Sequence, residues 1–389
     1  MDHFLYRDGI LHAEDVPLSE IARTVGTPAY VYSAATLLRH FRLFDEALAW
    51  GPHLVCYAVK AASNVAILKL LGDAGAGMDV VSEGEYRQIN LESEPEMRLL
   101  SRVASELGVE VPVTVRVNPD VDARTHEKIA TGKSDNKFGI PISRARAVYA
   151  EIATLPGLRV IGIDVHIGSQ LTDLEPFRLA YRKVADLTEI LRADGHAIER
   201  LDLGGGLGIP YARSNLAPPV PLEYGRVIRE EVGHLGCEIE IEPGRLIAGN
   251  AGILLTETIF VKHGEGRDFL IVDAAMNDLI RPAMYGAHHD IVPVIEPAPG
   301  ADQQAFDIVG PICETGDTFA KARHMPPVAP GDLIAFRSAG AYGAVMASEY
   351  NSRPLVPEVL VQGDQYAVIR PRPTFDEMIS RDMVPHWLE

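Results

Sequence analysis

The chain has little positive charge, few cysteines and no long apolar run. Its 389 residues include 36 Lys and Arg against 54 Asp and Glu, a formal net charge of -18. Such a chain lacks the basic footprint that nucleic acids and anionic membrane surfaces require, so we expect neither as a partner. Three cysteines, with no zinc-site spacing, are too scattered for a disulfide framework. We therefore expect no metal and a reducing, cytoplasmic compartment.

Membrane insertion and targeting are also not expected. No stretch approaches the roughly 18 uninterrupted apolar residues of a membrane-spanning helix, and the first residues lack a basic segment followed by an apolar one. The chain is 47% hydrophobic and its mean hydropathy is near zero, so it can bury a large core. A protein that acts on a small molecule fits this composition best.

The sequence pattern changes near residue 252. From residue 29 to 252, apolar strands alternate with amphipathic helical segments, which is typical of a parallel sheet with crossover helices. From residue 253 onward the helical period fades, and Gly and Pro turns separate strand-like runs. We predict a TIM-like α/β barrel over 29–252. We also predict an all-β domain, a Greek-key-like barrel or a sandwich, from 1–28 and 253–389.

The barrel segment contains one strand fewer than a closed barrel needs. A closed (β/α) barrel has eight strands. The seven candidate strands are at 54–60, 78–82, 88–93, 111–118, 160–166, 200–204 and 238–242. Only residues 83–87 join the second candidate to the third, whereas parallel neighbours need a connection of about a dozen residues or more. Either one βα unit is absent or one strand is misplaced.

Lys60 stands where an apolar strand opens into a loop. Partial removal from water at this position favours the neutral amine, which is a nucleophile toward aldehydes. The position suits a lysine that carries pyridoxal phosphate covalently. Taken alone, however, a lysine at a strand end is more often a solvated residue. The residues at the other strand ends therefore decide between these interpretations.

Two further motifs follow predicted strands, where barrel enzymes place their chemistry. His166 and Ser169 follow one strand, and a flat imidazole there can cover one face of a planar cofactor. The glycines around Gly206 follow another strand and allow backbone N–H groups to approach a phosphate. The alternatives are a hydrogen-bonded core histidine and a sharp turn without a ligand.

The last predicted barrel strand ends in a carboxylate and an arginine. Glu242 can hold a pyridine nitrogen protonated, and a protonated ring accepts electrons better than a neutral one. Gly244 and Arg245 form a turn suited to a carboxylate or phosphate, although a surface salt bridge explains the segment equally well.

The predicted β domain carries weaker signals. Cys313 and Glu314 place a thiol beside a carboxylate, although a lone cysteine is usually an inert core residue. Arg281 and Tyr285 lie four residues apart, and Tyr342 is flanked by small residues. Tyrosines at turns are commonly structural, so none of these residues identifies a site by itself.

Taken together and in order, these motifs resemble the diaminopimelate decarboxylase family, whose members are fold-type III pyridoxal-phosphate enzymes. The segments that carry the resemblance are 57–60, 116–120, 131–139, 166–169, 204–206, 242–245, 313–317 and 340–342. The resemblance covers nearly the whole chain. It implies pyridoxal 5'-phosphate as cofactor and decarboxylation of meso-2,6-diaminopimelate to L-lysine and CO2, the last step of lysine biosynthesis.

The resemblance also implies residue roles and an assembly. The implied catalytic residues are Lys60, His166 and Cys313. The implied cofactor-binding residues are Lys60, His166, Ser169, Gly206, Glu242, Gly244, Arg245 and Tyr342. The implied substrate-binding residues are Arg245, Arg281, Tyr285, Glu314 and Tyr342. The implied assembly is a homodimer in which Cys313 and Glu314 complete the partner's site, and Lys137 with Asp317 is a compatible intersubunit salt bridge.

The chain departs from the family pattern mildly at Ala62 and Thr315 and seriously between Glu85 and Gln88. There the family carries roughly thirty more residues, the size of a βα unit, so the missing strand is the third of the barrel. Two alternatives stay open. One is a decarboxylase for another basic amino acid, ornithine or arginine. The other is a catalytically silent homologue disabled by the missing unit.

Overall fold

The chain begins with a small antiparallel sheet. The computed structural model describes residues 2–80, 88–122, 138–212 and 218–388. The first elements are β1 (Phe4–Arg7), β2 (Ile10–Ala13), β3 (Val16–Pro17) and α1 (Leu18–Val25). Asp8 and Gly9, between β1 and β2, have φ angles of 49° and 75°, the left-handed conformation that tight hairpin turns require.

The central part of the chain alternates strands and helices. Its strands are β4 (Ala29–Ser33), β5 (His53–Ala58), β6 (Gly77–Asp79), β7 (Ile89–Leu91), β8 (Val111–Asn118), β9 (Ile140–Pro141), β10 (Leu158–Asp164), β11 (Arg200–Asp202) and β12 (Glu238–Ile241). Its helices are α2 (Ala34–Leu48), α3 (Val65–Asp73), α4 (Glu94–Leu107), α5 (Ile142–Ile152), α6 (Glu175–Ala193), α7 (Pro221–Val232) and α8 (Arg245–Ala248).

Seven of these strands form a curled parallel sheet in the order β6-β5-β12-β11-β10-β8-β7, and the short β9 pairs with β8. Val113, Val115 and Ile163 lie in its core and are fully buried. The two strands at the ends of the order, β6 and β7, are neighbours in the chain. Among the described residues no pairing joins them, so the sheet ends in two free edges.

The rest of the chain is mainly β structure, as predicted. Its strands are β13 (Gly252–His263), β14 (Asp268–Val272), β15 (Ile291–Pro293), β16 (Gln304–Val309), β17 (Thr318–Met325), β18 (Leu333–Phe336), β19 (Glu358–Gln362) and β20 (Gln365–Arg370). Its helices are α9 (Arg281–Tyr285) and α10 (Phe375–Ile379). Strand β4 joins this second sheet, where it pairs with β13 and β19. No helix in the described ranges is both long and apolar enough to cross a membrane.

A cluster of buried aromatic rings fixes the strand end that leads into the glycine motif. The Tyr181 and Tyr224 hydroxyls lie 2.7 Å apart, and Phe177 packs against the Tyr224 ring with 5.0 Å between centroids. Burying each ring contributes about 1.5–3 kcal/mol. The Tyr181 hydroxyl also donates to the Leu203 carbonyl at 3.2 Å. Core packing therefore holds in place the backbone that leads into Gly204.

Candidate active site

The parallel sheet and the second sheet meet at a cavity of about 640 Å³. Several of its lining residues follow the carboxyl ends of parallel strands, where the sequence predicted the chemistry. The predicted site residues that line it are Lys60, His166, Ser169, Gly206, Glu242, Gly244, Arg245, Arg281, Tyr285 and Tyr342. The fold thus brings together all of the predicted site residues except Cys313 and Glu314.

Lys60 lies in the turn Val59–Ala61 after β5, and nearly half of its side chain is exposed. Its Nζ lies 3.2 Å from Asp79 Oδ2. Burial lowers the pKa of Lys60, but the carboxylates of Asp79 and Glu242 outweigh burial and raise the pKa above its ordinary value. The expectation of a neutral amine is therefore wrong. Lys60 is an ammonium that must pass a proton to a base before it attacks an aldehyde, and Asp79 lies within reach.

Glu242 belongs to a group of three carboxyls at adjacent strand ends. Asp164 ends β10, Asp202 ends β11, and Glu242 follows β12. Burial raises the pKa of all three carboxyls, and repulsion from neighbouring carboxylates raises it further. Glu242 therefore keeps its proton to higher pH than a solvated glutamate does, and it can share that proton with a basic ring nitrogen.

Asn90 joins two of these carboxyls and was missed by the sequence reasoning. Its Nδ2 donates to Asp202 Oδ2 at 3.2 Å and to Glu242 Oε1 at 3.5 Å. The Thr114 hydroxyl donates to Asn90 Oδ1, which turns the amide N–H groups toward the carboxyls. Asn90 lies on β7, the last strand in the sheet order, so the end of the sheet also contributes to the site.

His166 is a neutral ring at the cavity wall. The Gly205 N–H donates to its Nδ1 at 3.2 Å, so the ring proton lies on Nε2. Burial and the positive charges of Arg116 and Lys60 lower the pKa of His166 to about 3. An uncharged flat ring in this place can stack on an aromatic cofactor.

The residues around Arg245 form a donor set for an anion. Its Nε and one terminal nitrogen donate to Ser169 Oγ at 3.3 and 3.1 Å, and its Cζ lies 4.7 Å from the centroid of the Tyr342 ring. Gly206 has a φ of 109°, and a Cβ there would lie 2.2 Å from the Gly168 carbonyl oxygen. Only glycine fits at this position, so backbone and guanidinium donors can approach a phosphate closely.

Arg281, on α9, is a second buried cation beside the same cavity. Its side chain is 6% exposed, and its Nε has no hydrogen-bond partner among the described residues. Within the ranges that the structure describes, neither Arg245 nor Arg281 has a carboxylate at ion-pair distance. Because an unpaired buried charge is costly, the cavity is suited to a ligand with anionic groups.

Tyr211 contacts both arginines and was likewise missed. Its hydroxyl accepts a hydrogen bond from Arg245 at 2.5 Å, and Arg281 Cζ lies 4.7 Å from its ring centroid. The sequence signal available was its position three residues after Gly208, the last of the clustered glycines. That signal did not indicate contacts with arginines from two distant segments.

Cys313 and Glu314 lie in the loop between β16 and β17, are exposed, and do not line the cavity of their own chain. The predicted intersubunit salt bridge between Lys137 and Asp317 stays a prediction. Asp317 is buried and accepts the N–H groups of Met276 at 2.7 Å and Ile312 at 2.8 Å, and Lys137 lies outside the described residues. The Asp317 carboxylate therefore stabilises the loop between β16 and β17 of its own chain.

The donor set fits pyridoxal phosphate. An amine, an acid that retains its proton, a neutral flat ring and a guanidinium beside a glycine loop all line one cavity. Pyridoxal phosphate presents an aldehyde, a ring nitrogen, a ring face and a phosphate to match them. The family model for the pyridoxal binding domain of pyridoxal-dependent decarboxylases matches residues 34–89 and 83–249. Fold and site thus define a pyridoxal-dependent decarboxylase.

Whole-chain comparisons identify the family more closely. The diaminopimelate decarboxylase of Pseudomonas aeruginosa is 49% identical, with 98% of each chain covered, and that of Vibrio cholerae is 46% identical, with 99% of each covered. A crystal structure of the M. jannaschii diaminopimelate decarboxylase with L-lysine matches with a TM-score of 0.93 at 32% identity, covering 100% of this chain and 99% of that one. The chain belongs to the diaminopimelate decarboxylase family, which confirms the family predicted from the motifs.

The family model and the relatives also indicate that residues are missing near the short link between β6 and β7. The two segments of the family model overlap at residues 83–89, from within that link to the first residue of β7. The Pseudomonas aeruginosa alignment has 413 positions, more than the 389 residues of the chain, so this relative carries residues that the chain lacks.

Proposed function

We propose that this chain decarboxylates meso-2,6-diaminopimelate to L-lysine and CO2 with pyridoxal phosphate as cofactor. The observation that carries the proposal is the pair of buried guanidiniums, Arg245 and Arg281, beside the cavity that contains Lys60. Neither has a carboxylate partner among the described residues. A cofactor phosphate and a distal substrate carboxylate would supply one anion to each.

The catalytic contribution of the chain follows from the geometry. When bound, pyridoxal phosphate supplies an aldehyde that an amine can join and a ring that accepts electrons. Lys60 supplies the amine and passes its proton to Asp79, 3.2 Å away. Glu242 would share its proton with the ring nitrogen, and His166 would cover one ring face. Ser169, Gly206, Gly244, Arg245 and Tyr342 would hold the phosphate.

The substrate end of the cavity selects for a second carboxylate. Arg281 and Tyr285, on α9, bind the distal carboxylate, while Arg245 and Tyr342 bind the phosphate. Ornithine and arginine have no distal carboxylate, so they would leave the buried Arg281 charge unpaired. Parallel assays with the three substrates test the proposal, and turnover of ornithine alone would contradict it.

We infer further that the functional unit is a homodimer. Cys313 and Glu314 are exposed in their own chain, where a partner subunit's cavity can receive them. Cys313 would return a proton to the substrate carbon, and Glu314 would bind the distal amine. The partner subunit would then add one thiol and one carboxylate to the cavity.

Mixing two inactive variants tests the shared site. Lys60→Ala and Cys313→Ala each disable every site in their own homodimers. In a mixed dimer, one of the two sites receives an intact Lys60 and an intact Cys313, so random exchange restores about a quarter of the activity. Independent sites would restore none. Mixing two batches of Lys60→Ala is the matched control.

We also infer that the open sheet is a family (β/α)8 barrel without its third βα unit. β6 and β7 end the sheet order, a link shorter than a crossover joins them, and the two matched family segments overlap at residues 83–89. The opening lies beside Asp79 and Asn90, which contact Lys60 and Glu242. The intact mass of the purified protein checks that the unit is absent.

A further inference from the structure

Tyr211 makes different contacts with the two guanidiniums at the cavity. Its hydroxyl accepts a hydrogen bond from an Arg245 terminal nitrogen at 2.5 Å. Its ring centroid lies 4.7 Å from Arg281 Cζ and 5.9 Å from Arg245 Cζ. The phenol oxygen therefore accepts a hydrogen bond from Arg245, and the ring lies closer to the Arg281 guanidinium.

The fold fixes Tyr211 from two directions. The Gln170 side-chain amide holds the backbone of Ile209, two residues before Tyr211. It donates to the Ile209 carbonyl at 2.7 Å and accepts from the Ile209 N–H at 3.2 Å. The buried His289 ring packs edge-on against the Tyr211 ring, with 5.3 Å between centroids. His289 is itself anchored by its Nδ1, 2.9 Å from the Arg337 carbonyl oxygen.

Two buried guanidiniums beside one cavity repel each other. Burial lowers the pKa of Arg281, and the positive charge of Arg245 lowers it further. The electron-rich face of an aromatic ring attracts a cation, and a hydroxyl lone pair accepts from one. A single tyrosine placed between the two arginines therefore offsets part of their repulsion and sets where each one lies.

We propose that Tyr211 is a positioning residue that assigns Arg245 to the cofactor phosphate and Arg281 to the distal carboxylate of the substrate. This role rests on the proposed function. It extends that function by adding a residue that touches both arginines through separate parts of one side chain, so that the two contacts can be removed one at a time.

Two substitutions separate the contacts. Tyr211→Phe removes the hydrogen bond to Arg245 and keeps the ring, so it weakens cofactor binding about tenfold and changes the KM for meso-diaminopimelate less than about twofold. Tyr211→Leu removes both contacts, so it weakens cofactor binding similarly and also raises this KM about tenfold. The cofactor dissociation constant comes from equilibrium dialysis and the KM from CO2 release.

A matched tyrosine far from the cavity provides the control. The hydroxyls of Tyr366 and Thr24 lie 2.8 Å apart and share a hydrogen bond. Tyr366→Phe leaves the cofactor dissociation constant and the KM for meso-diaminopimelate unchanged. Thermal melts establish that each variant is folded, and Tyr211→Met replaces Tyr211→Leu if the latter does not fold. The positioning role is overturned if Tyr211→Phe leaves cofactor affinity unchanged, or if it raises the KM as much as Tyr211→Leu does.

These measurements distinguish a failure of the positioning role from a failure of the proposed function. Cofactor affinity is measured without substrate, so the Arg245 contact is tested even if the wild-type chain releases no CO2. In that case the proposed function fails, and calorimetric titration of meso-diaminopimelate into wild type and Tyr211→Leu decides the Arg281 contact. If the wild type is active and all Tyr211 variants match it, the function stands and the positioning role fails.

Discussion

Replacing Arg281 with methionine raises the KM for meso-diaminopimelate by about 100-fold or more. The guanidinium is 6% exposed and has no carboxylate partner among the described residues, so we expect the substrate carboxylate to be its counter-ion. Removing one partner of a buried charge pair costs about 2–5 kcal/mol, and each 1.4 kcal/mol is tenfold in affinity. Methionine keeps much of the side-chain volume and removes the charge.

The control for this substitution is an arginine that already has a partner. Arg267 is exposed and pairs with Asp307 at 3.0 Å in the same part of the chain. Arg267→Met therefore leaves the KM unchanged. The ratio of kcat/KM for meso-diaminopimelate to that for ornithine also falls in Arg281→Met, because ornithine has no distal carboxylate that could pair with the guanidinium. A KM within threefold of wild type in a folded, cofactor-binding Arg281→Met protein would show that Arg281 does not bind the distal carboxylate.

Restoring the βα unit that we infer to be absent is expected to have the largest effect on stability. A segment of roughly thirty residues from the Pseudomonas aeruginosa relative, inserted between Glu85 and Gln88, adds one strand that pairs with both β6 and β7. Edge backbone groups gain hydrogen bonds and the barrel closes. We expect the free energy of unfolding to rise by on the order of 5 kcal/mol, against ~5–15 kcal/mol for a typical domain.

Urea unfolding followed by circular dichroism measures this gain. The slope of free energy against urea concentration also rises, because a closed barrel exposes more surface on unfolding. A Gly-Ser linker of equal length is the matched control, since it adds chain without adding a strand. Equal stability for the two insertions would mean that the two edges do not limit the stability of the natural chain.

The sequence predicted the architecture and most of the site because both depend on local patterns. Alternating apolar runs and helical periods predicted the parallel sheet, and the motifs at Lys60, His166, Gly206 and Glu242 each followed a strand whose carboxyl end lies at the same edge. Arg281, Tyr285 and Tyr342, in the predicted β domain, were assigned to the site by the family resemblance. Counting strands against link lengths also drew attention to the short link between β6 and β7, which no pairing joins among the described residues. These inferences needed no knowledge of contacts between distant segments.

What the sequence missed depends on such contacts. Lys60 is charged because Asp79, from the neighbouring strand, lies 3.2 Å from it. Tyr211 and Asn90 act on residues far along the chain, and neither stands in a motif of its own. Cys313 and Glu314 were placed by resemblance, and the structure of one chain does not bring them to the cavity.

The most direct test of the proposed function measures CO2 and L-lysine formed from meso-diaminopimelate by the purified chain, with its mass verified and pyridoxal phosphate added. We predict equal amounts of both products and no formation of either by Lys60→Ala. A wild-type chain that binds the cofactor and releases no CO2 would contradict the proposed function and identify a catalytically silent homologue.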